Sequence, residues 1–223
     1  MGAERLETNP FQACLIDSLH YACLAREVPE RQKEFSKSSV LSACLSIEAL
    51  ANCCLESMAL SGKLGNDFDK LTPLGKIDLY LLSRNGTTLD RGEYPVQIAK
   101  KLISKRNDFV HPRHQKRRFH DSASGRVGVI IEMDDVLEVR KGTNDLIRTD
   151  AESVSKKLNT FLCYFSAVAK LSHAESKPLF SERIVFDDGK VQYHGGWSDE
   201  SLRAIERLNL DMSWHPWYRR QNA

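Results

Sequence analysis

The chain has 223 residues, of which 41% are hydrophobic and 28% charged, with a mean hydropathy of −0.41. That balance fits one good-sized globular domain, or a domain with an appendage, and excludes collagen-like, low-complexity and wholly disordered chains. The formal charge of +2 by itself nominates neither nucleic acid nor membrane as a partner.

Phe11, Leu15, Leu19 and Cys23 recur every four residues and predict an amphipathic helix over 11–27, broken at Pro29. The longest helix is expected over 34–61. Leu41, Leu45, Leu55 and Ala59 fall within about 80° of arc, widened by Cys44, Ile47, Ala51 and Met58, and Gly62 and Gly65 should end it. Thr72 and Pro73 read as the cap and first turn of a third helix to about Ser83, followed by an Asn85-Gly86 turn. A fourth helix spans about 93–110 and is stopped by Pro112.

Residues 112–126 read as a polar, basic loop, and the β-branched run 127–133 as a strand. Val154, Leu158, Phe161, Phe165 and Val168 stripe a helix over 150–172, with Asp150 placed as its cap. Asp188-Gly189 between two β-prone runs predicts a hairpin, and a short helix near 199–208 follows. The terminal tryptophans, Trp214 and Trp217, are expected to dock the tail rather than stack on bases. The expected fold is therefore mainly α: a bundle of about five helices over 11–172, with a small C-terminal β-hairpin appendage, 173–223, packed on it.

No apolar run approaches the roughly 20 residues of a membrane span, and residues 1–12 lack a signal-peptide core. Leu6 breaks the myristoylation pattern after Gly2. The six cysteines have no C-x-x-C spacing, sit mostly within apolar helical text and read as reduced, small hydrophobes. A cytoplasmic location follows as an expectation, without a membrane partner.

The chemically informative stretch is KRNDFVHPR, residues 105–113, in which Arg106-Asn107 is followed by His111. Composition alone predicts roughly 0.02 such R-N-x-x-x-H matches per chain, so the spacing is uncommon. With this motif late in a helical bundle, the chain resembles the HEPN superfamily, many of whose members are metal-independent RNases. Glu48 and Asn52, interrupting the apolar text of the long helix, add to the likeness. It extends over about 11–172 in helix order, and residues 173–223 have no assigned counterpart.

The residues suit that chemistry. Glu48 and Asn52 lie one turn apart on the arc of Leu41, Leu45 and Leu55, and should form a supporting polar network. Arg106 shares an arc with Ala99, Leu102 and Val110, so its stem packs while its guanidinium seeks an anion, with Glu48 as an interhelical partner. His111 is assigned to acid/base work, Arg106 to the phosphate, and Asn107 to orienting one or the other. Attack by the ribose 2′-OH would leave a 2′,3′-cyclic phosphate and a 5′-OH, as the resemblance implies, and DNA would be inert. Arg106 and His111 stand about 140° apart on a continuous helix. Both can therefore reach one phosphate only if the helix unwinds, or if two chains build a composite site, as HEPN dimers typically do.

Residues 100–118 carry eight Lys and Arg against one Asp, a formal +7, which leaves −5 for the remainder. Lys101, Lys105, Arg113, Lys116, Arg117 and Arg118 are the candidate RNA-binding residues. His111, His114, His120 and Asp121 are close in sequence, but nearby cations and the lack of a cysteine argue against zinc, and no cofactor is expected. The expected function is a metal-independent endoribonuclease, homodimeric, with RNA as partner and room for a regulatory protein partner, acting in stress or defence. The alternative is a noncatalytic HEPN-like dimeric module that binds RNA or protein.

Overall fold

Asn9 and Pro10 set the first helix. The Asn9 side chain accepts the Gln12 backbone N–H at 2.9 Å, and Pro10 supplies a helix-ready φ where no N–H partner is needed. The computed structural model describes residues 3–60, 62–110, 119–121, 127–129, 133–134, 139–140 and 148–218. In chain order these give β1 (Ala3–Glu7), α1 (Pro10–Glu27), a 3-10 turn (Pro29–Arg31), α2 (Gln32–Ser57), α3 (Gly62–Asp69), α4 (Pro73–Asn85) and α5 (Tyr94–Val110). Four short strands follow: β2 (Phe119–Asp121), β3 (Val127–Val129), β4 (Met133–Asp134) and β5 (Val139–Arg140). The chain continues with α6 (Arg148–Ala169), α7 (His173–Phe180), β6 (Glu182–Phe186), β7 (Val191–His194) and α8 (Asp199–Leu208).

The protein is mainly helical; among the described residues α3 and α7 are additional to the helices expected for the bundle and to the short one near 199–208. Helix α2 is the central one, packed by α1, α4, α5, α6 and α7. Val40, Cys44, Ile47, Leu50, Ala51 and Cys54 are buried, whereas Leu41, Leu45, Glu48 and Asn52 form its half-buried stripe. The expected arc is thus buried at Cys44, Ile47, Ala51 and Leu55 and only half-buried at Leu41 and Leu45, because neighbours cover α2 on more than one side. Over Pro29–Ser57 the hydropathy reaches 1.5, long and apolar enough by itself to cross a bilayer. The expectation of no such segment is corrected accordingly, although 67% of that window is buried inside the protein, as befits a core helix.

Several boundaries also differ. Helix α2 stops at Ser57, because Ala59 turns left-handed (φ 50), and Gly62 and Gly65 belong to α3 instead. Asp150 lies within the first turn of α6 rather than capping it; as an acid there it still faces the positive end of the helix. Phe119–Asp121 is a strand, paired antiparallel with Val127–Val129, inside what reads as loop. The expected strand over 127–133 is divided between β3 and β4, with 130–132 outside the described residues. Thr72 caps α4 as expected, and Gly86 ends it at φ 71.

The hairpin forms as expected. Gly189 at φ 77 sends its N–H to Phe186 O at 2.9 Å, and Phe186 N–H reaches Lys190 O at 3.0 Å. It gains a third strand, β1, so the sheet order is β1-β6-β7, all antiparallel. Glu7 pairs with Arg183 at 2.8 Å, and Asn9 Nδ2 donates to Leu179 O at 3.0 Å. Helix α8 packs on α1 and α6. Phe11 meets Phe180 and Trp214, with ring centroids 5.4 and 6.3 Å away. Residues from α1 through Trp214 therefore share one continuous core.

Candidate functional site

Helix α5 carries Lys101, Lys105, Arg106 and Asn107 toward its C-terminal end. Ile98, Ala99 and Leu102 bury one side of the helix, which holds the Arg106 stem against α2. Arg106 Nη2 lies 2.8 Å from Glu48 Oε2, with the two side chains 25% and 35% exposed. The interhelical pair anticipated from the two arcs is present. Arg106 Nη1 also donates to Asn107 Oδ1 at 3.0 Å. Arg106 Nε is buried, with no hydrogen-bond partner among the described residues.

Asn52 goes elsewhere. Its Oδ1 accepts from Lys76 Nζ of α4 at 2.8 Å, and the same ammonium donates to Asp69 Oδ1 at 2.6 Å. The hydrogen bond and charge of Lys76 hold the Asp69 carboxyl below its ordinary range. The half-buried stripe of α2 thus splits into two polar contacts, Glu48 to α5 and Asn52 to α4. Sequence periodicity placed both side chains on one face, but the partner of Asn52 depends on how α4 packs, which no local spacing reveals.

Cys44 sits beneath this region. Burial pushes its thiol up to about 12, against the opposing pull of Lys105 and the Arg106 backbone. It is an uncharged packing residue here. All six cysteines are free thiols.

Lys101 and Lys105 are half-buried, and Asn107 is exposed. His111, Arg113, Lys116, Arg117 and Arg118 lie outside the described residues, as does His114. His120 and Asp121 fall in β2. Among the described residues, no three His, Cys, Asp or Glu side chains are grouped to hold a metal ion.

A second polar concavity lies between α1, the end of β7 and the start of α8, lined by Gln12, His20, Glu182, His194, Ser198 and Ser201. These residues come from four distant segments. Sequence spacing gives no sign of it.

No family model, curated protein or solved structure matches the chain.

Proposed function

We propose that the chain is a metal-independent endoribonuclease of the HEPN type, acting on RNA at the C-terminal end of α5. The observation that carries this reading is Arg106, a half-buried arginine held by Glu48 and Asn107 and standing five residues before His111 in the chain. Each Nη of Arg106 has a second N–H beyond the one given to Glu48 or Asn107. Those remaining hydrogens are the ones offered to a phosphate oxygen. Glu48 fixes the fork and moderates its charge, so affinity for phosphate is lower than for an unpaired arginine.

In the proposed reaction a base deprotonates the ribose 2′-OH, which attacks the adjacent phosphorus. The P–O5′ bond breaks, and an acid protonates the departing 5′-oxygen. His111 performs the acid/base work and Arg106 stabilises the phosphorane charge. Lys101 and Lys105, with Arg113, Lys116, Arg117 and Arg118, draw in the polyanion. A homodimer supplies the composite cleft that brings Arg106 of one chain and His111 of the other to one phosphate. The reduced thiols and RNA substrate suit the cytoplasm.

The same ion pair favours a second reading: Glu48 neutralising Arg106 is also what a noncatalytic HEPN-like binding module would show. Cleavage of RNA in EDTA separates the two. The enzyme gives 2′,3′-cyclic phosphate ends, and Arg106→Ala or His111→Ala abolishes them. Cleavage undiminished in both variants, or no cleavage of any RNA, rejects the enzymatic reading.

A further inference from the structure

Strand β1 is one edge of the three-stranded sheet, paired on its inner side with β6. Among the described residues no strand lies along its outer side. An open edge offers backbone N–H and C=O groups to any strand whose side chains fit those along it. Leu6 stands opposite Ile184, and Arg5 and Glu7 flank it on the other face of the sheet. Leu6 is 59% exposed, so most of that apolar side chain meets solvent. On the opposite face the Glu7 carboxylate lies 2.6 Å from Arg5 Nη2 and 2.8 Å from Arg183 Nη2.

Arg5-Leu6-Glu7 carries opposite charges at its two ends, so it complements itself when run antiparallel. In a two-fold pairing of antiparallel strands, residues opposite one another share a face, and the axis must pass through a residue. An axis through Arg5 sets Arg5 against Arg5, and one through Glu7 sets Glu7 against Glu7. Both are like-charge pairs and unfavourable. An axis through Leu6 sets Arg5 against Glu7 twice, and Leu6 against Leu6. One register of the three is therefore attractive on both faces. The other edge, β7, holds Val191, Gln192, Tyr193 and His194, with no Lys, Arg, Asp or Glu to dictate a register.

We propose that β1 is a docking edge for a second copy of this chain, which joins antiparallel about Leu6 and continues the sheet as β7-β6-β1-β1-β6-β7. Each Arg5 meets Glu7 of the second copy, while Glu7 stays tied to Arg183 of its own chain. The two Leu6 side chains cover one another. The irregularity in register between Ala3 and Arg5 confines regular pairing to the stretch that carries this pattern. A contact this short makes a transient dimer rather than an obligate one. It goes beyond the ribonuclease reading and holds whether or not RNA is cleaved.

Oxidative cross-linking of the full chain carrying Leu6→Cys, without RNA, tests this on a non-reducing gel. The axis sets the two introduced thiols opposite each other, so a covalent dimer forms well above the wild-type background. That background comes from the half-buried Cys14 and Cys163. Gln192→Cys, on the other edge, gives background only. Adding Arg5→Glu, or separately Glu7→Arg, to Leu6→Cys lowers the yield about fivefold or more, because each sets like charges opposite. Mixing these two double variants restores it, since the acidic edge of one then meets the basic edge of the other, which also shows that both remain folded. No cross-link above background overturns the proposal. So does an equal yield from Gln192→Cys, a yield indifferent to the charge reversals, or a mixture that stays uncoupled.

Discussion

Glu48 on α2 and Arg106 on α5 meet at 2.8 Å on the half-buried rim of the bundle. The pair is partly solvated, so its worth to the fold is about 1 kcal/mol or less. Its effect on the proposed site is larger, because Glu48 competes with phosphate for the same guanidinium. Glu48→Gln should leave the melting temperature nearly unchanged yet tighten RNA binding several-fold, read by fluorescence anisotropy at fixed salt. Weaker binding in that variant would mean that Glu48 orients Arg106 for RNA rather than competing with it.

Asn52 has a different role, and stability measurements should show it. The Lys76 side chain is 8% exposed and depends on Asn52 and Asp69 for its hydrogen bonds. Asn52→Ala should cost about 1.5–3 kcal/mol in urea unfolding, since a buried ammonium loses a partner. Lys76→Met, which removes the charge itself, should cost much less. The reverse order would show that Asn52 is not what shelters Lys76.

His215 makes the fold sensitive to acid. The residue is fully buried, its Nδ1 accepts from Trp197 Nε1 at 3.3 Å, and burial pushes its pKa down to about 3. The unfolded chain takes up a proton near the ordinary value of about 6.5, whereas the folded one stays neutral. This group's contribution is fully present above about 6.5 and is lost as pH falls toward 3, by about 1.4 kcal/mol per unit. Unfolding free energies at pH 7.5 and 5 should differ less in His215→Gln than in wild type. Parallel slopes would assign the acid sensitivity to other groups.

Two adjacent glycines should behave differently. In Gly195→Ala the new methyl meets the Trp217 indole, which donates to Ser181 Oγ at 2.6 Å, and the tail must shift. Overpacking of this kind costs about 1–3 kcal/mol. A Cβ on Gly196 meets nothing within 4 Å, so Gly196→Ala should be close to neutral by thermal melting. Equal melting temperatures for the two variants would contradict the close approach.

What could be read from sequence was what is locally encoded. Thr72, Gly86 and the Asp188-Gly189 turn announce themselves through capping and φ preference, and the structure uses each accordingly. Glu48 and Arg106 could be paired because helical periodicity put a carboxylate and a guanidinium on inward arcs. Strand β1 could not be foreseen: Ala3–Glu7 acquires its strand character by pairing with Phe186–Arg183, far along the chain. Helix α7 was hidden by Pro178 in its interior, although Ser172 and Glu175 form a capping box at its start. The cleft around Gln12 and Glu182 likewise exists only once α1, the hairpin and α8 are assembled.

The route from Asn9 to Leu179 bears on how the molecule is made. Phe11 packs against Phe180 and Trp214, and the Asn9 amide donates to Leu179 O and Ser181 O. A polypeptide emerging from the ribosome in order offers Asn9 its Leu179 acceptor only after 170 further residues have been added. A piece cut at 172 would leave the Phe11 ring uncovered and the Asn9 amide without its acceptors. Closure of α1 by segments so distant in sequence makes this part of the fold a long-range event, and leaves the nascent bundle an exposed apolar face for chaperones to cover in the meantime.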